Sequence, residues 1–300
     1  MATFELTGRG PFDLGRCGRW LEGFRPAGLT GGRHLHIATP AEGVWRPAAV
    51  CLSPAPNGLR AEVAGDAPLE RVREQVRRMF SLDVDAGAWP AICHRDPVLA
   101  RLDNRFPGLR PVCFPSPYEA AVWAVLSQRM RMAQAAALKR RLTDSLGTSV
   151  AIHGEEVRAF PPPATLMRLR SFPGMPAAKA DRLMLVAAAA LDGLVDGAAL
   201  RSVDAASAIG QLRRIPGIGT FSAELIAVRG AGHPDHFPHG DKRLHDAMRS
   251  AYEMGSDAPL SELEAVADAW RPFRSWAAFL LRTAAAQGPG DDAGEERGGS

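Results

Sequence analysis

Lysine is nearly absent, with only Lys139, Lys179 and Lys242 in 300 residues. Chemistry that needs an amine nucleophile has those three to draw on. Cysteine is also sparse: Cys17, Cys51, Cys93 and Cys113 are scattered, without a CxxC pair or a tight cluster. That pattern argues against a zinc ribbon, an iron–sulfur scaffold and a disulfide-stapled miniprotein, and leaves four reduced, structural thiols as the expectation. No run reaches the roughly 18 uncharged apolar residues of a membrane span, and the apolar stretch 184–191 is too short for one. The opening MATFELTGRG lacks the basic-then-apolar order of a signal peptide, so a cytoplasmic location and no membrane partner are expected.

What is present is ordinary for a folded chain. Hydrophobic residues make up 46% and charged residues 23%, which excludes wholesale disorder. The length allows one or two domains with a sizeable core. The net charge of +3 conceals an asymmetry, because Asp291, Asp292, Glu295 and Glu296 near the C-terminus face Arg297 alone. The rest of the chain is therefore more basic than the whole, which permits a nucleic-acid partner without requiring one.

The first hundred residues read as strands with some helix. Phe4 and Leu6, Leu35 and Ile37, then Leu59, Ala61 and Val63 alternate with polar neighbours at period two. From Leu69 the period changes to three or four through Val72, Val76, Met79 and Phe80, one face of an amphipathic helix. From about Arg110 onward the chain reads as helical. Ser116-Pro117-Tyr118-Glu119 has the form of a capping box with proline at the first helical position. The segment 288–300, GPGDDAGEERGGS, is too polar and glycine-rich to pack, and reads as a disordered acidic tail.

The informative segment is 212–220, where Ile215-Pro216-Gly217-Ile218-Gly219-Thr220 lies between two helical patterns. Pro216 and Gly217 stop the first helix, Gly219 permits a sharp turn, and Thr220 is placed to cap the next. Two helices joined this way expose backbone N–H groups at a helix N-terminus, where a phosphate can be gripped without reading sequence. An ordinary turn between core helices fits the same residues.

This segment, followed by Phe237-Pro238-His239-Gly240-Asp241, resembles the signature of the helix-hairpin-helix DNA glycosylase superfamily. Further blocks resemble the 3-methyladenine DNA glycosylase II family: 76–83, Phe106-Pro107-Gly108-Leu109-Arg110, Ala124-Val125-Leu126-Ser127-Gln128, Gly174-Met175-Pro176 with Lys179-Ala180, and 270–276. The resemblance implies an α+β fold. An N-terminal antiparallel α/β domain (1–90) is followed by an all-helical glycosylase domain (91–287), whose two subdomains flank a cleft. It also implies that residues 93–114 pack with the C-terminal helices.

By the same resemblance, Asp241 is the catalytic residue of a monofunctional base-excision glycosylase acting on a damaged, alkylated or otherwise modified purine in double-stranded DNA. Cleaving the N-glycosidic bond builds positive charge on the sugar, which a nearby carboxylate stabilises. Asp241 also has the form of a helix N-cap, and the two roles are compatible. Phe221 stands where the bifunctional branch carries a lysine, so hydrolysis by water is expected. The damaged base must be flipped out of the duplex. Gly217, Gly219, Thr220, Gln128 and Arg129 are the implied DNA contacts, with Arg129 at the position of an apolar wedge in other members. Phe221, Leu225 and Arg282 match the base pocket. With one aromatic and an arginine there, a cationic alkylpurine gains less than a neutral lesion such as hypoxanthine or an etheno-adduct.

No cofactor is expected beyond a structural monovalent cation on the carbonyls of Ile215 and Ile218, again by resemblance. His233, His236, His239 and His245 lie near Asp235, Asp241 and Asp246, but their spacing is poor for one metal site. The chain is expected to act as a monomer. A catalytically silent binder of damaged or distorted DNA, using the same hairpin, is the alternative.

Overall fold

The computed structural model describes residues 1–24 and 35–288. The sheet is fully antiparallel, with β1 (Ala2–Thr7), β2 (Leu35–Pro40), β3 (Pro47–Ala55) and β4 (Gly58–Gly65) in the order β1-β4-β3-β2. β3 escapes a period-two search because both its faces are covered. Ala48, Val50 and Leu52 enter the main core while Ala49 and Cys51 are buried on the opposite face. Gly58 is required where β1 crosses β4: a Cβ there would lie 1.8 Å from the Leu6 carbonyl oxygen.

The expectation of an all-helical second part is corrected by a hairpin, β5 (Thr148–Ile152) and β6 (Glu155–Ala159). His153 and Gly154 form its two-residue turn, both at positive φ (51° and 80°), the backbone that hairpin twist favours. Val150 and Ile152 pack on Ala49 and Cys51, so the hairpin covers the outer face of the sheet. Burying one face of five alternating residues is what sets this stretch as strand.

Two larger cores organise the rest. The first joins the inner face of the sheet to Trp89–Val112 side chains and to Phe237–Leu281 side chains, so hydrophobic packing runs across position 90. The second is built from side chains between Phe114 and Ala231, around the almost wholly buried helix Pro117–Ser127. Phe114 thus parts from residues 93–112 and belongs to the second core. Ser116 caps the buried helix through Glu119 N–H (3.1 Å), but the capping box is only half made. The Glu119 carboxylate instead takes Lys139 Nζ (2.9 Å) and the Thr39 hydroxyl (3.0 Å), a buried link between sheet and helices.

All four cysteines are buried and unbridged. Burial pushes the Cys17 thiol up to about 12 and the Cys113 thiol up to about 11, which makes both inert. Among the described residues, no helix is long and apolar enough to cross a membrane. The acidic segment, apart from Gly288, lies outside the described residues.

Candidate active site

The chain leaves the second core after Ala231 and rejoins the first at Phe237, so the loop between them spans the junction. Asp241 stands at the end of that loop, and the hairpin stands across from it.

The hairpin's first helix is Ala205–Leu212, capped by Asp204 through Ser207 N–H (2.9 Å). Ile215 N–H then donates to Leu212 O (3.1 Å) and Ile218 N–H to Ile215 O (3.0 Å), closing a compact turn. The sharp backbone position is Gly217, at φ 90°, where a Cβ would lie 3.0 Å from the Arg182 stem. Gly219, expected to turn the chain, has φ −82° and open space around it; it is the N-cap of the second helix, Thr220–Leu225. Thr220, expected as the cap, is the first helical residue. No side chain caps this helix, so its leading N–H groups face outward without a side-chain acceptor at the cap. Ile215 and Ile218 are buried anchors for the turn.

Gln128 braces the hairpin. Its Nε2 donates to Gly217 O (2.9 Å), and its Oε1 accepts from Arg182 Nη1 (2.8 Å). Lys179 Nζ holds the same loop, donating to the carbonyls of Gln128 (2.7 Å), Val125 (3.3 Å) and Leu126. Arg129 follows, exposed and at φ 52°, in left-handed backbone. Of the three lysines, Lys139 is buried against Glu119, Lys179 is tied to the carbonyls, and Lys242 is exposed beside Asp241.

Asp241 is the N-cap of helix Lys242–Ala251, its Oδ1 accepting from Leu244 N–H (3.1 Å). Its Oδ2 lies 3.2 Å from Arg282 Nε, on helix Arg274–Gln287. The carboxylate thus sits at a helix N-terminus, where an anion is favoured, with the Arg282 guanidinium against it. Phe221 is 55% exposed and packs beside Gly240: a Cβ on that glycine would lie 3.2 Å from the Phe221 ring. Leu225, one turn further on, is half-buried against the second core. The structure therefore brings Phe221, Gly240, Asp241 and Arg282 together, while Gln128 meets the hairpin at Gly217.

The residue missed from sequence is Glu224. It is buried and accepts from the N–H groups of His239 (3.3 Å) and Gly240 (3.1 Å), fixing the backbone immediately before Asp241. Burial works to raise its carboxyl, but the hydrogen bonds from His236 and Gly240 and the charges of His236 and His239 outweigh that and hold it below its ordinary value. An acid inside the otherwise apolar run Ala223–Val228 was the available signal. The four histidines divide: His233 is buried on Leu200 O (2.9 Å), His245 faces Pro238 O (3.3 Å) and stacks on Phe237, while His236 and His239 converge on Glu224.

No family model matches the chain. A DNA-3-methyladenine glycosylase of Bacillus subtilis is 26% identical over 216 residues, which is 71% of each chain. A probable bifunctional transcriptional activator/DNA repair enzyme AlkA of Mycobacterium tuberculosis is 34% identical over 246 residues, 80% of this chain and 48% of that protein. The match thus spans about half of the mycobacterial relative. Among solved structures, a 3-methyladenine DNA-glycosylase from Archaeoglobus fulgidus superposes with a TM-score of 0.77 at 20% identity, covering 95% of this chain and 98% of that one. In sequence the chain is similar to DNA-3-methyladenine glycosylases, and in fold to the helix-hairpin-helix DNA glycosylases.

Proposed function

We propose that the protein is a monofunctional DNA base-excision glycosylase that hydrolyses the N-glycosidic bond of a damaged purine. The observation that carries this is the Asp241 carboxylate, at the N-terminus of helix Lys242–Ala251 and beside the exposed Phe221 of the hairpin. The uncapped N–H groups of the second hairpin helix would bind one backbone phosphate. The carbonyls of Ile215 and Ile218, a donor type suited to a hard monovalent cation, would hold one at the same turn. Gly217 and Gly219 keep side chains away from the strand.

A flipped base would lie against Phe221 and Leu225, with Arg129 filling the gap it leaves in the stack through its planar guanidinium. As the glycosidic bond lengthens, electrons pass to the base and positive charge grows on the sugar. Asp241 stabilises that charge and orients a water towards the anomeric carbon. Arg282 places a positive charge beside the pocket, which disfavours a cationic alkylpurine and assists a neutral base that departs with negative charge. Lys139 and Lys179 are held in structural contacts, and Phe221 occupies the hairpin position of a Schiff-base lysine, which supports hydrolysis over lyase chemistry.

The test uses duplex oligonucleotides carrying an N-methylpurine, hypoxanthine or ethenoadenine. Strand breaks should appear only after hot alkali, and borohydride should trap no covalent adduct. Breaks without alkali, together with an adduct lost in Lys242→Met, would replace hydrolysis by lyase chemistry. Damaged-duplex binding without release of any base would favour the silent binder.

A further inference from the structure

We infer that Glu224, His236 and His239 form a site for one zinc-like divalent transition-metal ion, which clamps the loop carrying Asp241 to the second hairpin helix. The donor atoms of the three side chains all lie within 4.8 Å of one another. Glu224 Oε1 is 3.2 Å from His236 Nε2 and 3.5 Å from His239 Nδ1. Around a tetrahedral zinc with ligand bonds of about 2.0–2.1 Å, neighbouring donors stand about 3.3–3.4 Å apart. The spacing is therefore that of a coordination edge.

A second observation concerns His239, whose other ring nitrogen, Nε2, lies 2.8 Å from Glu264 Oε1 on helix Leu260–Asp268. A carboxylate accepts there, which orients the ring so that its other nitrogen, Nδ1, faces the Glu224 carboxylate. Carboxylate-to-histidine hydrogen bonds of this kind are the usual support of a metal-bound imidazole. Glu224 is oriented by backbone donors, Gly240 N–H on its Oε2 and His239 N–H on its Oε1, so that Oε1 faces both histidine rings.

The burial suits an ion that enters from solvent. The Glu224 side chain is 5% exposed, that of His236 13% and that of His239 47%, so the fourth position opens outward to water. On binding, the proton between His236 Nε2 and Glu224 gives way to the metal, and the His236 ring carries its proton on Nδ1. The charge balance is one carboxylate against a dication, with no redox change. The sequence spacing concealed the site because Glu224 comes from the hairpin helix and only two of the four nearby histidines contribute.

The site stands apart from the base-excision reading, and its test does not use activity. The chelator-stripped full chain is titrated with Co2+ and then Zn2+. One equivalent of Co2+ should give the visible ligand-field bands of a low-coordinate site, which Zn2+ abolishes, and Zn2+ should raise the melting temperature. His239→Ala, at a half-exposed position, should remove both the bands and the shift while melting cooperatively without metal. Glu264→Gln should weaken affinity by about 10- to 100-fold. His36, Cys51 and His153 also bring donors within 4.8 Å of one another, so His153→Ala is the control and should change nothing. Absence of stoichiometric binding, binding that survives His239→Ala, or binding lost in His153→Ala would each overturn the proposal.

Discussion

Replacing Arg282 by methionine should turn base preference from neutral towards cationic lesions. Methionine keeps much of the apolar stem and removes the charge. Arg282 Nε lies 3.2 Å from Asp241 Oδ2, so a nucleoside held on the other side of that carboxylate would stand about 6–7 Å from the guanidinium. At an effective dielectric of about 40, midway between a surface pair and open water, two unit charges at that separation interact by about 1.3 kcal/mol, or roughly eight-fold. A cationic N-methylpurine is repelled by that amount on binding. A neutral purine departs with negative charge and is helped by a comparable amount. Because the two effects have opposite sign, the ratio of kcat/KM for 7-methylguanine over hypoxanthine should rise by roughly 60-fold in Arg282→Met. Stability should change by less than about 1 kcal/mol, since both partners are part-exposed. Single-turnover base release from the two duplexes reads the effect. Equal change on both substrates would refute the charge argument, and equal loss to the level of Asp241→Asn would show that Arg282 acts only by holding the carboxylate.

The hairpin glycines should separate folding from binding. Gly217→Ala forces a side chain into left-handed backbone 3.0 Å from the Arg182 stem and should cost about 1–2 kcal/mol in urea unfolding, whereas Gly219→Ala, in open space, should stay within about 0.5 kcal/mol. Both should weaken DNA binding. His233 gives a pH signature: burial holds its imidazole below the ordinary value, so the unfolded chain takes up the proton first as pH falls through about 6.5. Stability from this group is present above that pH and is lost below it, towards the lowered folded value. His233→Gln should remove that part of the slope, as measured by urea midpoints on either side of neutrality.

The strands with one solvated face were legible because alternation survives when only one face is buried. β3 was not, since Ala48–Leu52 is covered on both sides by partners distant in sequence. The β5–β6 hairpin was hidden in the same way: its turn residues His153-Gly154 are local, but the sheet face that it covers lies a hundred residues upstream. At the candidate site, the Pro-Gly turn and the position of Asp241 followed from sequence and resemblance. The pairing of Asp241 with Arg282 and the burial of Glu224 depend on where three separate helices meet, which no local pattern encodes. The sharp turn falls at Gly217 and the cap at Gly219, two residues and one residue before the expected Gly219 and Thr220, because a Pro-Gly-x-Gly pattern shows that a turn is needed and only the backbone shows where it lies.

The central claim is that Asp241 performs the bond cleavage. Its most direct test is single-turnover base release by the wild type and Asp241→Asn across the lesion panel, with binding of the same duplexes measured for both. Asparagine can still accept from Leu244 N–H, so the cap and the fold should be retained. The account predicts release by the wild type, loss of at least about 100-fold in Asp241→Asn, and duplex affinity kept within a few-fold. Release that proceeds at the wild-type rate in Asp241→Asn would contradict it.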